Sequence, residues 1–179
     1  MEFLKTEIEG VIICRPKVWP DARGYFFESF SQRELDSAIG RHIDFVQDNE
    51  SRSTYGVIRG LHFQRAPHSQ TKLVRCTLGR VLDVAVDLRP GSPTYGRHVA
   101  IELSADNHLQ LLIPKGFAHG FSVLSPEAVL QYKCDDYSHP ETEGGIDLAD
   151  PALAIDWRIL PAERILSDKD RRRPRLAEI

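Results

Sequence analysis

Between positions 81 and 88 the side chains alternate. Leu82, Val84, Val86 and Leu88 fall on one face of an extended chain, and Asp83, Ala85 and Asp87 on the other. A period of two with one apolar face predicts a β-strand. Runs with similar bias predict further strands at 10–15, 25–29, 44–49, 57–63, 72–78, 99–103, 108–113, 121–124 and 128–133. Turn-forming residues separate many of them, as in Arg89-Pro90-Gly91-Ser92-Pro93 and Ser125-Pro126-Glu127. So many short strands predict an all-β fold, a sandwich or barrel. One helix is signalled by the capping box Ser31-Gln32-Arg33-Glu34, with Phe30 set to staple against Leu35 and Gly40 set to end it. Ser167 marks a second short helical start. No internal repeat, low-complexity stretch or linker divides the sequence, so residues 1–179 are expected to form a single domain.

Composition narrows the function classes. A chain with 41% hydrophobic and 27% charged residues is globular rather than disordered. Its net charge of −3 offers no general attraction to a nucleic acid polymer or an anionic membrane, so a phosphate site must be built from a few placed cations. Cys14, Cys76 and Cys134 are far apart and form no C-x-x-C, which disfavours a disulfide framework or zinc knuckle and predicts inert, partly buried thiols. The first residues, Met1-Glu2-Phe3-Leu4-Lys5-Thr6-Glu7, lack the basic and apolar segments of a secretory signal, and no apolar run approaches a membrane span. The expected location is the cytoplasm. Arg171-Arg172-Arg173 reads as a solvated charge run.

Two stretches carry candidate chemistry. Arg59-Gly60-Leu61-His62-Phe63-Gln64, followed by Pro67-His68-Ser69-Gln70-Thr71-Lys72-Leu73-Val74-Arg75, crowds cations and imidazoles around a turn. Ile113-Pro114-Lys115-Gly116-Phe117-Ala118-His119 contains Pro-x-Gly-x-x-His, the second-half signature of the cupin barrel. A metal-binding cupin needs three or four convergent nitrogen and oxygen ligands, including an H-x-H pair in its first half. His62 is instead followed by Phe63-Gln64 with no suitably spaced Glu, so a barrel without catalytic metal is expected.

Together these stretches closely resemble the dTDP-4-dehydrorhamnose 3,5-epimerase family over nearly the whole chain. The matching segments include Asp21-Ala22-Arg23-Gly24-Tyr25-Phe26-Phe27-Glu28, Gln47-Asp48-Asn49, Arg59-Gly60-Leu61-His62 and Lys72-Leu73-Val74-Arg75. They continue through Asp83–Arg89, Gly116-Phe117-Ala118-His119-Gly120-Phe121, Tyr132-Lys133 and Leu166-Ser167-Asp168-Lys169-Asp170. The resemblance implies a cupin-type double-stranded β-helix, or jelly-roll barrel, with a few short helices. It implies a homodimer without cofactor that inverts carbons 3 and 5 of dTDP-4-dehydro-6-deoxy-D-glucose in making dTDP-L-rhamnose. By the same resemblance His62 is the base, Asp170 its orienting partner, Tyr132 the acid on the opposite face, and Lys72 the group that steadies the ketone oxygen. Arg23, Phe26, Glu28, Gln47, Asp48, Asn49, Arg59, His119, Glu143 and Lys169 fall where the family contacts its substrate, the first three from a neighbouring subunit. Two departures occur: Ser138-His139 replaces a frequent second aromatic beside Tyr137, and Gly145-Ile146-Asp147-Leu148 lacks the usual tryptophan.

The chemistry is compatible with these residue types. An imidazole titrating near ~6.5 is a usable base at neutral pH, and a carboxylate on its other nitrogen fixes the tautomer. Asp83 is the reserve candidate for that carboxylate. A phenol with pKa near ~10 keeps its proton to donate. Each assignment has a plainer rival: His62 as a structural strand histidine, Tyr132 as core, Asp170 as a helix cap, Lys72 as an edge-strand charge. The competing functions are a 3-only or 5-only epimerase, a ketoisomerase, a non-catalytic sugar-nucleotide-binding cupin and a metal-dependent cupin oxygenase.

Overall fold

The computed structural model describes residues 1–179. The alternation that opens the sequence reading belongs to β8 (Arg80–Asp87), which is covered on both faces. Val81 and Ala85 point into a cluster shared with Val74, Leu111, Phe121 and Leu130. Leu82, Val84 and Val86 point the other way, onto Ile146, Leu148, Leu153 and Trp157. Trp157 is fully buried there and donates its indole N–H to the Leu148 carbonyl at 2.8 Å. Truncating a residue of that size in a core commonly costs about 3–5 kcal/mol.

Two antiparallel sheets enclose the first cluster. One is ordered β1 (Glu2–Lys5), β2 (Ile12–Arg15), β10 (Gln110–Ile113), β7 (Lys72–Leu78), β12 (Glu127–Cys134) and β5 (Gln47–Thr54). The other is ordered β13 (Glu143–Gly145), β6 (Ile58–Gln64), β11 (Phe117–Val123), β8 and β9 (His98–Ser104). The sequence-distant neighbours in each sheet are those of a jelly-roll barrel, as the fold expectation required. A separate hairpin, β3 (Trp19–Asp21) with β4 (Gly24–Phe26), stands outside both sheets.

The expected helix is α1 (Gln32–Ile39), with the Glu34 amide donating to Ser31 Oγ and Gly40 in the left-handed conformation at φ 71°. Phe30 packs in the same small cluster as Leu35. At Ser167 the expected helical start is only a 3-10 turn over Asp170–Arg172, with the Asp170 amide capped by Ser167 Oγ at 3.1 Å. This turn lies in a C-terminal strap that crosses the barrel mouth and joins the fold through a parallel bridge between Val57 and Ile165. All three cysteines are buried and unpaired, and burial pushes the thiols of Cys14 and Cys76 up to about 12 and about 11. No helix is long and apolar enough to cross a membrane.

Candidate active site

Strand alternation turns one side chain in two toward the barrel interior, and where the interior meets the mouth those side chains are polar. A cavity of about 540 Å³ opens there, walled by Arg59 and His62 of β6, His119 of β11, Lys72 of β7, Tyr132 of β12 and the strap residues Lys169 and Asp170. His62 and Tyr132 therefore come from different sheets. Two glycines let β6 and β11 approach behind His62. A Cβ on Gly60, at φ 138°, would lie 2.5 Å from the Gly120 Cα, and one on Gly120 would lie 2.8 Å from the Arg59 carbonyl oxygen. This close approach is the structural reason for glycine in both Arg59-Gly60-Leu61-His62 and His119-Gly120-Phe121.

The strap delivers Asp170 to His62, with a separation of 2.5 Å between His62 Nε2 and Asp170 Oδ1. Burial disfavours ionisation of Asp170, but the hydrogen bond and charge of His62, the Ser167 contact and nearby Arg173 together hold its carboxyl below the usual range. The carboxylate is 5% exposed and the imidazole 33% exposed, so the pair is sheltered on one side and open to the cavity on the other. The reserve candidate, Asp83, is instead bonded to His119 Nε2 at 2.9 Å and is fully buried. Of the two carboxylates Asp170 is the one in contact with His62; Asp83 lies along β8 facing β11, with its second oxygen unpartnered.

Tyr132 is half-buried opposite this pair, and its ring stands edge-on to His119 with centroids 6.4 Å apart. Burial first, and the neighbouring Cys134 second, raise the phenol above its ordinary value against a smaller opposing effect of Arg59. It thus keeps its proton at neutral pH. Lys72 Nζ lies 5.7 Å from the centre of the Tyr132 ring. Burial lowers its ammonium pKa, opposed by the negative potential of Cys134, Asp83 and Glu143.

Glu143 ties the strap down. Lys169 Nζ donates to one of its oxygens at 2.6 Å, and Arg173 donates to the other. Burial works against the Glu143 charge, but these two cations hold the carboxyl below its ordinary value. Arg173 corrects the solvated reading of the arginine run, because its side chain is only 12% exposed and packs where a Cβ on Gly145 would fall within 2.5 Å of it. Arg171 and Arg172 differ in being free of any such carboxylate contact.

The remaining expected site residues divide by face. Gln47 and Asn49 on β5 line the cavity mouth with Lys72, Glu143 and Lys169. Asp48, between them, faces outward and pairs with Lys133 at 3.0 Å, because neighbours on a strand point to opposite sides. Arg59 is fixed by a 3.1 Å hydrogen bond from its Nε to Ser53 Oγ. Arg23, Phe26 and Glu28 are exposed in or beside the β3–β4 hairpin and do not line this chain's cavity. Ser51, overlooked in the sequence, does line it, and its buried hydroxyl has no protein partner. The signal was available: Ser51 follows Gln47 and Asn49 at the strand period.

The sequence model for dTDP-4-dehydrorhamnose 3,5-epimerase matches residues 5–178. The chain belongs to that family. A relative from Escherichia coli (strain K12), dTDP-4-dehydrorhamnose 3,5-epimerase, is 54% identical over 172 residues, covering 96% of this chain and 92% of its own. The crystal structure of the family member from Elizabethkingia anophelis NUHP1 superposes with a TM-score of 0.96 at 48% identity, covering 99% of this chain and 97% of that one. A dTDP-6-deoxy-D-glucose-3,5-epimerase from Legionella pneumophila Philadelphia 1, solved with dTDP-4-keto-L-rhamnose, gives 0.95 at 48% identity, covering 99% and 94%. The epimerase family thus accounts for the fold over essentially the full chain.

Proposed function

We propose that this chain is a dTDP-4-dehydrorhamnose 3,5-epimerase, converting dTDP-4-dehydro-6-deoxy-D-glucose into dTDP-4-dehydro-L-rhamnose for dTDP-L-rhamnose synthesis. Family membership supports the reaction. The observation that carries the mechanism is that His62, braced by Asp170, and Tyr132 face one cavity from opposite sheets. With Nε2 engaged by Asp170, His62 Nδ1 takes the proton from the carbon beside the ketone. The electron pair left behind moves onto the ketone oxygen, where Lys72 steadies the enolate charge, an effect commonly worth about 3 kcal/mol per donor. Tyr132 then delivers its proton to the other face of the same carbon, and the carbonyl re-forms with inverted configuration. Exchange with solvent at the open cavity mouth takes the proton from the His62 imidazolium and returns one to the Tyr132 phenolate, the same cycle at the second carbon completes the reaction, and no step calls on a redox or metal cofactor.

Arg59 holds the diphosphate, while Gln47, Asn49, His119, Glu143 and Lys169 surround the sugar and its phosphate link. Arg23, Phe26 and Glu28 serve the partner's cavity in a homodimer. The support is the hairpin itself, which exposes Trp19, Tyr25 and Phe26 at 48%, 61% and 69%, with the Trp19 and Phe26 rings 6.1 Å apart, an apolar patch of the kind a partner covers. Light scattering is expected to give twice the 20.3 kDa chain mass, and a monomer at micromolar concentration overturns the dimer. The working compartment is the cytoplasm, in keeping with three unpaired cysteines.

Proton NMR in deuterated water tests the mechanism. His62→Asn is expected to abolish both product and exchange. Tyr132→Phe keeps the base and Lys72, so it should exchange deuterium into the substrate while inverting far more slowly. Normal inversion by Tyr132→Phe, or normal exchange by His62→Asn, refutes the corresponding role, and the product spectrum shows which carbons invert.

A further inference from the structure

The two imidazoles outside the catalytic cavity that crowd its lip, His68 and His139, remain without a role in this chemistry. Their rings stack with centroids 3.5 Å apart and planes 16° from parallel. His68 lies in the connection from β6 to β7 and His139 in the segment after β12. Glutamine amides pin both backbones. Gln64 donates to the His68 and Tyr137 carbonyls at 2.9 and 3.2 Å and accepts from the His139 amide at 2.6 Å. Gln70 donates to the Asp136 carbonyl at 2.9 Å. Each imidazole also has a carboxylate: His68 Nδ1 is 3.2 Å from Asp136 Oδ2, and His139 Nδ1 is 3.1 Å from Glu141 Oε1.

These separations differ from the other histidine–carboxylate pairs of the molecule, which close to 2.5, 2.9 and 2.6 Å at His62, His119 and His42. A charge-assisted hydrogen bond has its optimum near ~2.7–2.9 Å, whereas two ligands of a tetrahedral zinc ion with bonds of about 2.0–2.1 Å stand about 3.3 Å apart. Ligand atoms of His68, Asp136 and His139 all lie within 4.8 Å of one another, and all three residues are half-buried. We propose that His68, Asp136 and His139 form a site for a late first-row divalent cation, zinc being the best match, with Glu141 as the outer carboxylate that orients His139. Two imidazoles with carboxylate oxygens are the ligand chemistry such ions prefer over magnesium or calcium.

The three ligands line neither the catalytic cavity nor its mouth, but they join the two segments whose Gln64, Gln70 and Ser138 border that mouth. A bound ion therefore clasps the mouth rather than entering the reaction. The test uses tag-free, chelator-treated protein titrated with zinc chloride by calorimetry and with cobalt(II) by absorption spectroscopy. One zinc per chain and an intense tetrahedral cobalt spectrum are expected. His68→Gln and His139→Gln should each weaken zinc by at least about 100-fold, beyond the ~10–100-fold of a change in an orienting partner, and Glu141→Gln by about 10-fold. Thermal melts matching wild type in the absence of metal identify variants that retain the fold. Absence of zinc binding at micromolar concentration, or wild-type zinc affinity in a folded His68→Gln or His139→Gln variant, overturns the site.

Discussion

Replacing Asp170 by Asn keeps the shape of the strap and removes one charge from beside the base. The carboxylate contacts His62 Nε2 at 2.5 Å and is 5% exposed, so water screens it little on that side. Unit charges about 4 Å apart at an effective dielectric near ~20 interact by about 4 kcal/mol. The imidazole is 33% exposed, and an amide still offers a neutral hydrogen bond, so the differential reaching the transition state is smaller, about 2–3 kcal/mol. That corresponds to a roughly 30- to 150-fold loss of kcat. Solvent deuterium exchange into substrate should fall with it, because the loss occurs at proton removal. In wild type the lowered Asp170 pKa makes its stabilising contribution fully present above the unfolded carboxyl value near ~3.9 and lost as pH falls through the folded one. Acid unfolding of Asp170→Asn should therefore lack that component. Wild-type exchange in a folded Asp170→Asn refutes the dyad, and a larger exchange defect in Asp83→Asn than in Asp170→Asn would move the partner role to Asp83.

Arg59→Ala should weaken dTDP binding at least tenfold, or ~1.4 kcal/mol, since it removes a planar donor fork at the cavity wall, and unchanged calorimetric affinity refutes the phosphate assignment. Arg173→Ala should lower unfolding free energy by about 1–2 kcal/mol, because partly exposed Glu143 loses one of two cations, and should depress kcat more than it raises KM as the strap loosens. Partial rescue by Arg173→Lys is expected, and unchanged melting and kcat would restore the solvated reading.

Where a strand had one apolar face, the sequence showed it: β7, β8 and β12 lie within a residue or two of expectation. β5 was misread because its inward face is the cavity wall. Gln47, Asn49, Ser51 and Ser53 alternate with Asp48, Glu50 and Arg52, so no hydrophobic period exists, and the expected strand stopped at Asn49. The apolar Phe45 that suggested an earlier start packs edge-on against Phe30 instead. The expected strand at 121–124 lacks the first half of β11, where Gly120 carries no side chain because β6 passes too close for a Cβ. Among site residues, His62 and its neighbours were visible as a local motif, but its pairing with Asp170 spans 108 positions and only the family resemblance pointed to it. Arg173 was hidden in a charge run whose members differ only through tertiary contacts with Glu143 and Gly145.

The proposed base and acid, His62 and Tyr132, sit on different sheets, and this makes the interior packing a gauge block. The distance across which a substrate ring must present its two faces is set by the thickness of the layer built from Val74 and Leu130 on one side and Ala85 and Phe121 on the other. Packed sheets stand about 10 Å apart, and interiors at crystal-like density do not yield continuously. In the proposed mechanism the handedness of the product thus depends partly on Val74, Ala85 and Leu130, which do not line the cavity, and an alteration of that layer would reach stereochemistry by changing the span between donor and acceptor while leaving both groups chemically intact.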